Sequence, residues 1–174
     1  GDTSDDSHGY LPKINISKET LLSRELVPFK FLIANKIPAI MSGHLSFPNI
    51  TNSNEPASLS PYFLQTILRE ELAYTGLIIT DDMMMNGATS YAGSLSRAFQ
   101  LAIEAGNDII ISSTCPQLYE ALWVQNLKLM KDNVAFNNKV KAAAKKVIYE
   151  KLVYFKSENS VPLYPNIAKI KERI

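Results

Sequence analysis

Residues 76–85 read GLIITDDMMM. Leu77, Ile78 and Ile79 form a short apolar run with no polar alternation, which suits a parallel strand buried on both faces. Thr80, Asp81 and Asp82 then place polar atoms at the carboxyl end of that strand, where α/β folds collect their chemistry. Neighbouring side chains on a strand point to opposite sides, so the two adjacent carboxylates are expected to do different jobs. One would face the mouth of the sheet or barrel, the other a helix start or loop. A competing reading has both of them capping the following turn. Met83, Met84 and Met85 suit packing, because methionine fills irregular gaps. At a site mouth they would instead form an apolar wall.

Working outward, PAIMSGH (38–44) and DIIIS (108–112) read as two further strands with polar exits. Ser17 is a candidate cap for a helix that Pro28 kinks or splits before Asn35. Ser60-Pro61 signals another helix start, with Ser60 as cap and Phe63, Leu64, Ile67, Leu68 and Leu72 as the apolar stripe. Gly76 closes that unit. A helix over about 92–105 ends at Gly106, and two more are predicted near 117–131 and 137–155. Strands that each feed a helix indicate an α/β fold with a parallel sheet of about three strands flanked by helices. The strand ends read MSGH, ITDD and ISST, so a site is expected along that rim.

The 174 residues suffice for one domain, with 46% hydrophobic and 20% charged side chains. Net charge is +1, but residues 1–127 carry 7 basic and 13 acidic side chains and residues 128–174 carry 11 and 4. The basic excess follows an amphipathic helical pattern with few arginines, which reads as a solvated helix face rather than a nucleic-acid surface. The single cysteine, Cys115, excludes an internal disulfide framework. No run approaches the roughly 20 apolar residues of a membrane span, and the N-terminus has neither the basic start nor the apolar core of a signal peptide. Phosphate-binding loops, dinucleotide fingerprints and nucleophile elbows are absent, so no cofactor is indicated.

The stretch GDTSDDSH (1–8) contains Asp6-x-His8. A carboxylate beside an imidazole fixes its tautomer and raises its pKa, which makes a proton donor available near neutral pH. Taken alone, the pattern also fits a solvated terminus or a metal-ligand pair. No other cluster has ligand spacing, so no metal site is expected. His44, the second histidine, stands at a strand end. It reads either as a group facing substrate or as a hydrogen-bonded structural residue.

Together these stretches resemble glycoside hydrolase family 3, and within it the bacterial β-N-acetylglucosaminidases (β-N-acetylhexosaminidases) that act on peptidoglycan fragments. GDTSDDSH is similar to the end of the H-G-D-T-x-x-D-S-H loop of that branch. PAIMSGHLSFP resembles its sixth barrel strand and exit. EPASLSPYFLQTILREELAYTGLIITDDMMMNGA resembles the helix and seventh strand ending in S/T-D-D/A, and AGNDIII resembles the strand that closes the barrel.

The resemblance implies the C-terminal part of a (β/α)8 TIM barrel over residues 1–155, with 156–174 as a tail or linker toward a further domain. It implies Asp81 as catalytic nucleophile, His8 as general acid/base and Asp6 as the carboxylate that orients and tunes His8. Thr80 stands where the family commonly has Ser. His44 and Met85 are candidates for substrate contact. The implied activity is retaining hydrolysis of terminal β-linked N-acetylglucosamine by a bacterial protein of the cytoplasm or cell envelope, as in peptidoglycan recycling, without cofactor, nucleic acid or membrane span. A phosphorylase of the same family, or a silent scaffold that binds glycans or a partner, is the alternative. A full barrel takes about 250 residues. The chain is therefore expected to lack the upstream half of its barrel and to be inactive without it.

Overall fold

The computed structural model describes residue 3, residues 5–113 and residues 116–155. The predicted tail over 156–174 lies outside the described residues. Strands β1 (Ala39–Ser42), β2 (Leu77–Asp82) and β3 (Ile109–Ile111) form one parallel sheet in the order β1-β2-β3. Before β1 come α1 (Lys18–Thr20), a π-helical turn (Leu21–Glu25) and α2 (Val27–Ala34). Between β1 and β2 lie α3 (Pro48–Thr51) and a π-helix (Tyr62–Glu71). Helices α4 (Asn86–Ala92) and α5 (Leu95–Ala105) separate β2 from β3, and α6 (Pro116–Asp132) and α7 (Val134–Phe155) follow.

Local chemistry explains most of these boundaries. The Ser17 hydroxyl accepts the Thr20 N–H at 3.1 Å, as expected of a cap. Pro28 sits in the first turn of α2, where its missing N–H costs nothing, so it opens a helix rather than kinking one. Ser60 and Pro61 stand at the expected helix start, Ser60 still extended and Pro61 the first helical residue, but the Ser60 side chain does not bond the first turn. Its hydroxyl is buried without a hydrogen bond among the described residues, while its carbonyl accepts the Leu64 N–H at 3.1 Å. The helix expected over about 92–105 is α5, ending at Gly106, and α4 before it is unexpected. Gly93 takes a left-handed φ of 76° to end α4, and Ser94 caps α5 by accepting the Arg97 N–H at 3.2 Å.

Among the described residues the helices pack mainly on one face of the sheet, and on the other Leu77 and Ile109 border a cavity lined also by Val147, Lys151 and Tyr154 of α7. Ile40 and Ile78 are buried with Leu64, Tyr74 and Ala105, and Ile110 packs against Ala98 and Ala102. On the opposite face the strands carry Met41, Leu77, Ile79, Ile109 and Ile111; Met41 is 57% exposed and Ile111 38%. The unbroken apolar runs match strands buried on both sides, yet among the described residues Met41 and Ile111 stay exposed on the second. A separate cluster of Ile14, Leu21, Phe47, Phe63 and Ile67 anchors the N-terminal segment to the exit of β1. At the opposite end of the sheet, Arg69 donates to the carbonyls of Tyr74 and Gly76 and pairs with Asp108 at 2.8 Å. Asp108 also accepts the Ile78 N–H at 2.9 Å, which fixes the start of β2 against β3.

Candidate active site

Between β2 and β3 the register advances from Ile79↔Ile109 to Asp82↔Ile111, three steps along β2 against two along β3. This bulge falls on Thr80 and Asp81. Bulges beside a site re-aim side chains and interrupt the ladder. Here the Thr80 hydroxyl repairs the ladder by accepting the Ile111 N–H at 3.0 Å, and Thr80 is fully buried. Thr80→Val is expected to cost about 1–3 kcal/mol by orphaning a part-buried N–H, whereas Thr80→Ser retains most of the stability. Denaturant unfolding of the complete protein measures both; equal stability of Thr80→Val and the native protein would contradict the role.

The two carboxylates differ as expected. One oxygen of Asp82 accepts the N–H groups of Met84 and Ser113, each at 3.0 Å. Partial burial pushes the Asp82 carboxyl up, yet hydrogen bonds from Ser113 and Met84 outweigh it and hold it below the ordinary carboxylate range. Asp82 therefore ties the turn together. Asp81 accepts only the adjacent Asp82 N–H, at 2.7 Å, among the described residues, which leaves its second oxygen available. Asp81 is half-buried, and the bulge at Thr80 and Asp81 interrupts the simple alternation of side chains that holds up to Ile79.

The N-terminal loop sits beside this rim. Pro12 and Ile14 bracket Ser46, with Ser46 N–H donating to Pro12 at 2.9 Å and Ile14 N–H to Ser46 at 2.8 Å. A turn from Asp6 to Gly9 closes at 3.1 Å. His8 Nδ1–H donates to Asp6 Oδ1 at 2.7 Å, and the His8 backbone N–H donates to the same oxygen at 3.0 Å. Both side chains are 76% exposed. The hydrogen bond to Asp6, then the charge of Asp6, holds the His8 pKa above the ordinary imidazole value, and the charges of Asp81 and Asp82 add to it. The His8 N–H groups, backbone first, lower the Asp6 carboxyl. With Nδ1 committed to Asp6, Nε2 makes no hydrogen bond among the described residues and can give or take a proton.

His44 and Met85 lie beneath this rim. His44 is 1% exposed, and both its ring nitrogens are engaged. A carbonyl can only accept, so Nε2–H donates to the Asp82 carbonyl at 3.0 Å. Nδ1 then accepts the Ser58 hydroxyl at 2.7 Å. Burial pushes the His44 pKa down, which keeps the ring neutral. Asn107 extends the network, donating to the Ser58 carbonyl at 2.8 Å and accepting the Ser42 hydroxyl at 2.7 Å. Met85 is 7% exposed at the start of α4, and Met83 is fully buried; Met84 is the partly exposed methionine. Among the described residues no cluster of His, Cys, Asp or Glu is arranged to hold a metal ion. No helix there is long and apolar enough to cross a membrane.

Asn107, Ser58, Asn86 and Gly87 escaped the sequence reading as site-supporting residues. Only the Asn-Gly dipeptide directly after the methionines offered a local signal.

Comparison with known proteins agrees with this geometry. The sequence profile of the glycosyl hydrolase family 3 N-terminal domain matches residues 1–149. A β-hexosaminidase of Methylococcus capsulatus is 38% identical over 117 residues, covering 67% of this chain and 34% of that protein. The chain thus spans about a third of the length of the curated relatives it matches. A family 3 β-N-acetylglucosaminidase from Paenibacillus sp. str. FPU-7 superposes with a TM-score of 0.83 at 29% identity, covering 95% of this chain and 32% of that one. CbsA from Thermotoga neapolitana gives a TM-score of 0.79 at 31% identity, covering 99% and 38%. With profile, relatives and strand-end architecture in agreement, the chain belongs to glycosyl hydrolase family 3.

Proposed function

We propose that the complete protein is a retaining glycoside hydrolase that removes terminal β-linked N-acetylglucosamine, with peptidoglycan-derived glycans as its substrate class. One observation carries the reading. A carboxylate with a free oxygen, Asp81, stands at the open end of β2 beside a loop that holds a carboxylate–imidazole pair, Asp6 and His8. The activities named for the Methylococcus and Paenibacillus relatives support the sugar assignment.

In the first step an Asp81 oxygen bonds to the anomeric carbon as the bond to the leaving oxygen breaks. The bonding pair stays on the leaving oxygen, which takes the proton from His8 Nε2. In the second step the neutral Nε2 takes a proton from water, whose oxygen attacks the anomeric carbon and releases the Asp81 carboxylate. Asp6 stabilises the imidazolium and holds the ring. The acid is an imidazole, so the carboxyl separation of about 5–5.5 Å that marks retaining enzymes with two carboxylates does not apply.

The uncovered face of Met41, Ile79 and Ile111 calls for the remainder of a barrel, supplied by the rest of the protein or by another chain. The purified 174-residue chain is accordingly expected to show no turnover of a chromogenic N-acetylglucosaminide that the complete protein cleaves. Turnover by the isolated chain would contradict this, and failure of the complete protein would contradict the glycosidase reading. The imidazole favours one second reading. A neutral base does not repel an anionic acceptor as a carboxylate would, so phosphate is a chemically acceptable substitute for water. Release of glycosyl phosphate that depends on added phosphate would select phosphorolysis.

A further inference from the structure

Two residues that the chemistry above does not use hold the loop in place. The Asn86 N–H donates to the His8 carbonyl at 3.3 Å and the Gly87 N–H to the Ser7 carbonyl at 3.0 Å. The Asn86 side-chain amide donates to the Gly9 carbonyl at 3.2 Å. Three consecutive loop carbonyls are thus gripped by two consecutive residues. The backbone donors belong to the first turn of α4, whose N–H groups have no partner within the helix. Docking the loop therefore satisfies both sides.

Space around Gly87 points the same way. A Cβ added there would lie 2.9 Å from His44 Cβ and 3.1 Å from the Ser7 carbonyl. The loop and the exit of β1 close on this position together. His44 in turn donates to the Asp82 carbonyl, one residue after Asp81. The loop carrying His8 and the strand end carrying Asp81 are therefore referenced to one point.

We infer that Asn86 and Gly87 are positioning residues, a latch that sets the His8 imidazole against Asp81; this rests on the roles proposed above for those two side chains. The turn closed by Asp6 and Gly9, together with the Asp6–His8 hydrogen bond, makes the loop head a unit of its own. The latch fixes where that unit sits and leaves its internal geometry alone. Loosening it removes proton donation while leaving the Asp6 hydrogen bond, the largest cause of the raised His8 proton affinity, in place.

The test compares kcat/KM of the complete protein on two N-acetylglucosaminides. Dinitrophenolate departs without a proton, whereas methanol needs one. Asn86→Ala should lower kcat/KM for the methyl glycoside about tenfold and leave the dinitrophenyl glycoside within about twofold. Gly87→Ala should enlarge the first effect to about a hundredfold. The alkaline limb of the pH profile should move less in both variants than in Asp6→Asn, because the Asp6 hydrogen bond is retained. Equal losses on both substrates, no loss on either, or a limb displaced as far as in Asp6→Asn would overturn the latch. His8→Ala is the internal control. If it discriminates between the leaving groups and Asn86→Ala does not, the latch fails and the acid/base reading stands. If His8→Ala fails to discriminate, the acid/base reading falls, and the latch with it.

Discussion

Replacing Asp81 by Asn in the complete protein is expected to lower kcat for an aryl N-acetylglucosaminide by at least about a thousandfold, with little change in Tm. The amide keeps the shape and the acceptor that Asp82 N–H uses, but it cannot form the glycosyl ester. Asp82→Asn should behave in the opposite way. Its carboxylate gathers the N–H groups of Met84 and Ser113, so neutralising it loosens the turn at a cost of about 1–2 kcal/mol while most turnover survives. Steady-state rates and thermal unfolding of the two variants separate nucleophile from turn cap. Loss of activity in Asp82→Asn with sparing in Asp81→Asn would reverse the assignment.

His8→Ala should lower kcat/KM for a glycoside with a poor leaving group by about a hundredfold to ten-thousandfold. The pH dependence follows from the raised His8 pKa and its cause. Proton donation requires imidazolium, and the hydrogen bond to Asp6 keeps His8 protonated to higher pH than a free imidazole. Activity is therefore present on the acid side of that raised value and lost as pH climbs through it. Asp6→Asn removes the charge that raises the pKa, so the alkaline limb of kcat/KM should move toward lower pH and the plateau should fall. A limb that stays where it was in Asp6→Asn would show that another group titrates there.

The rim was legible in the sequence because short apolar runs ending in MSGH, ITDD and ISST are local signals. A difference between Asp81 and Asp82 was expected from strand alternation, and their hydrogen-bond partners do differ. The bulge that separates them was not expected, since it depends on the register of β2 against a strand about 30 residues away. For the same reason His44 read as a lone imidazole. Its partners Ser58 and Asp82 lie 14 and 38 residues along the chain, and Asn107 meets Ser42 across 65. Helix α4 was hidden by its composition. NGATSYA is poor in strong helix formers, and its start is held by the docked loop as much as by propensity. The apolar runs of the strands describe burial on two faces, of which the described residues supply one in full and leave Met41 and Ile111 exposed on the other.

Covalent capture at Asp81 is decided most directly by incubating the complete protein with an N-acetylglucosaminyl fluoride that carries a second fluorine beside the ring oxygen. That substituent slows formation and breakdown of the glycosyl ester, while the good leaving group lets it accumulate. Peptide mass spectrometry should find the sugar on the fragment containing Asp81 and none in Asp81→Asn. An adduct on any other carboxylate, or an active enzyme that never accumulates one, would contradict the assignment.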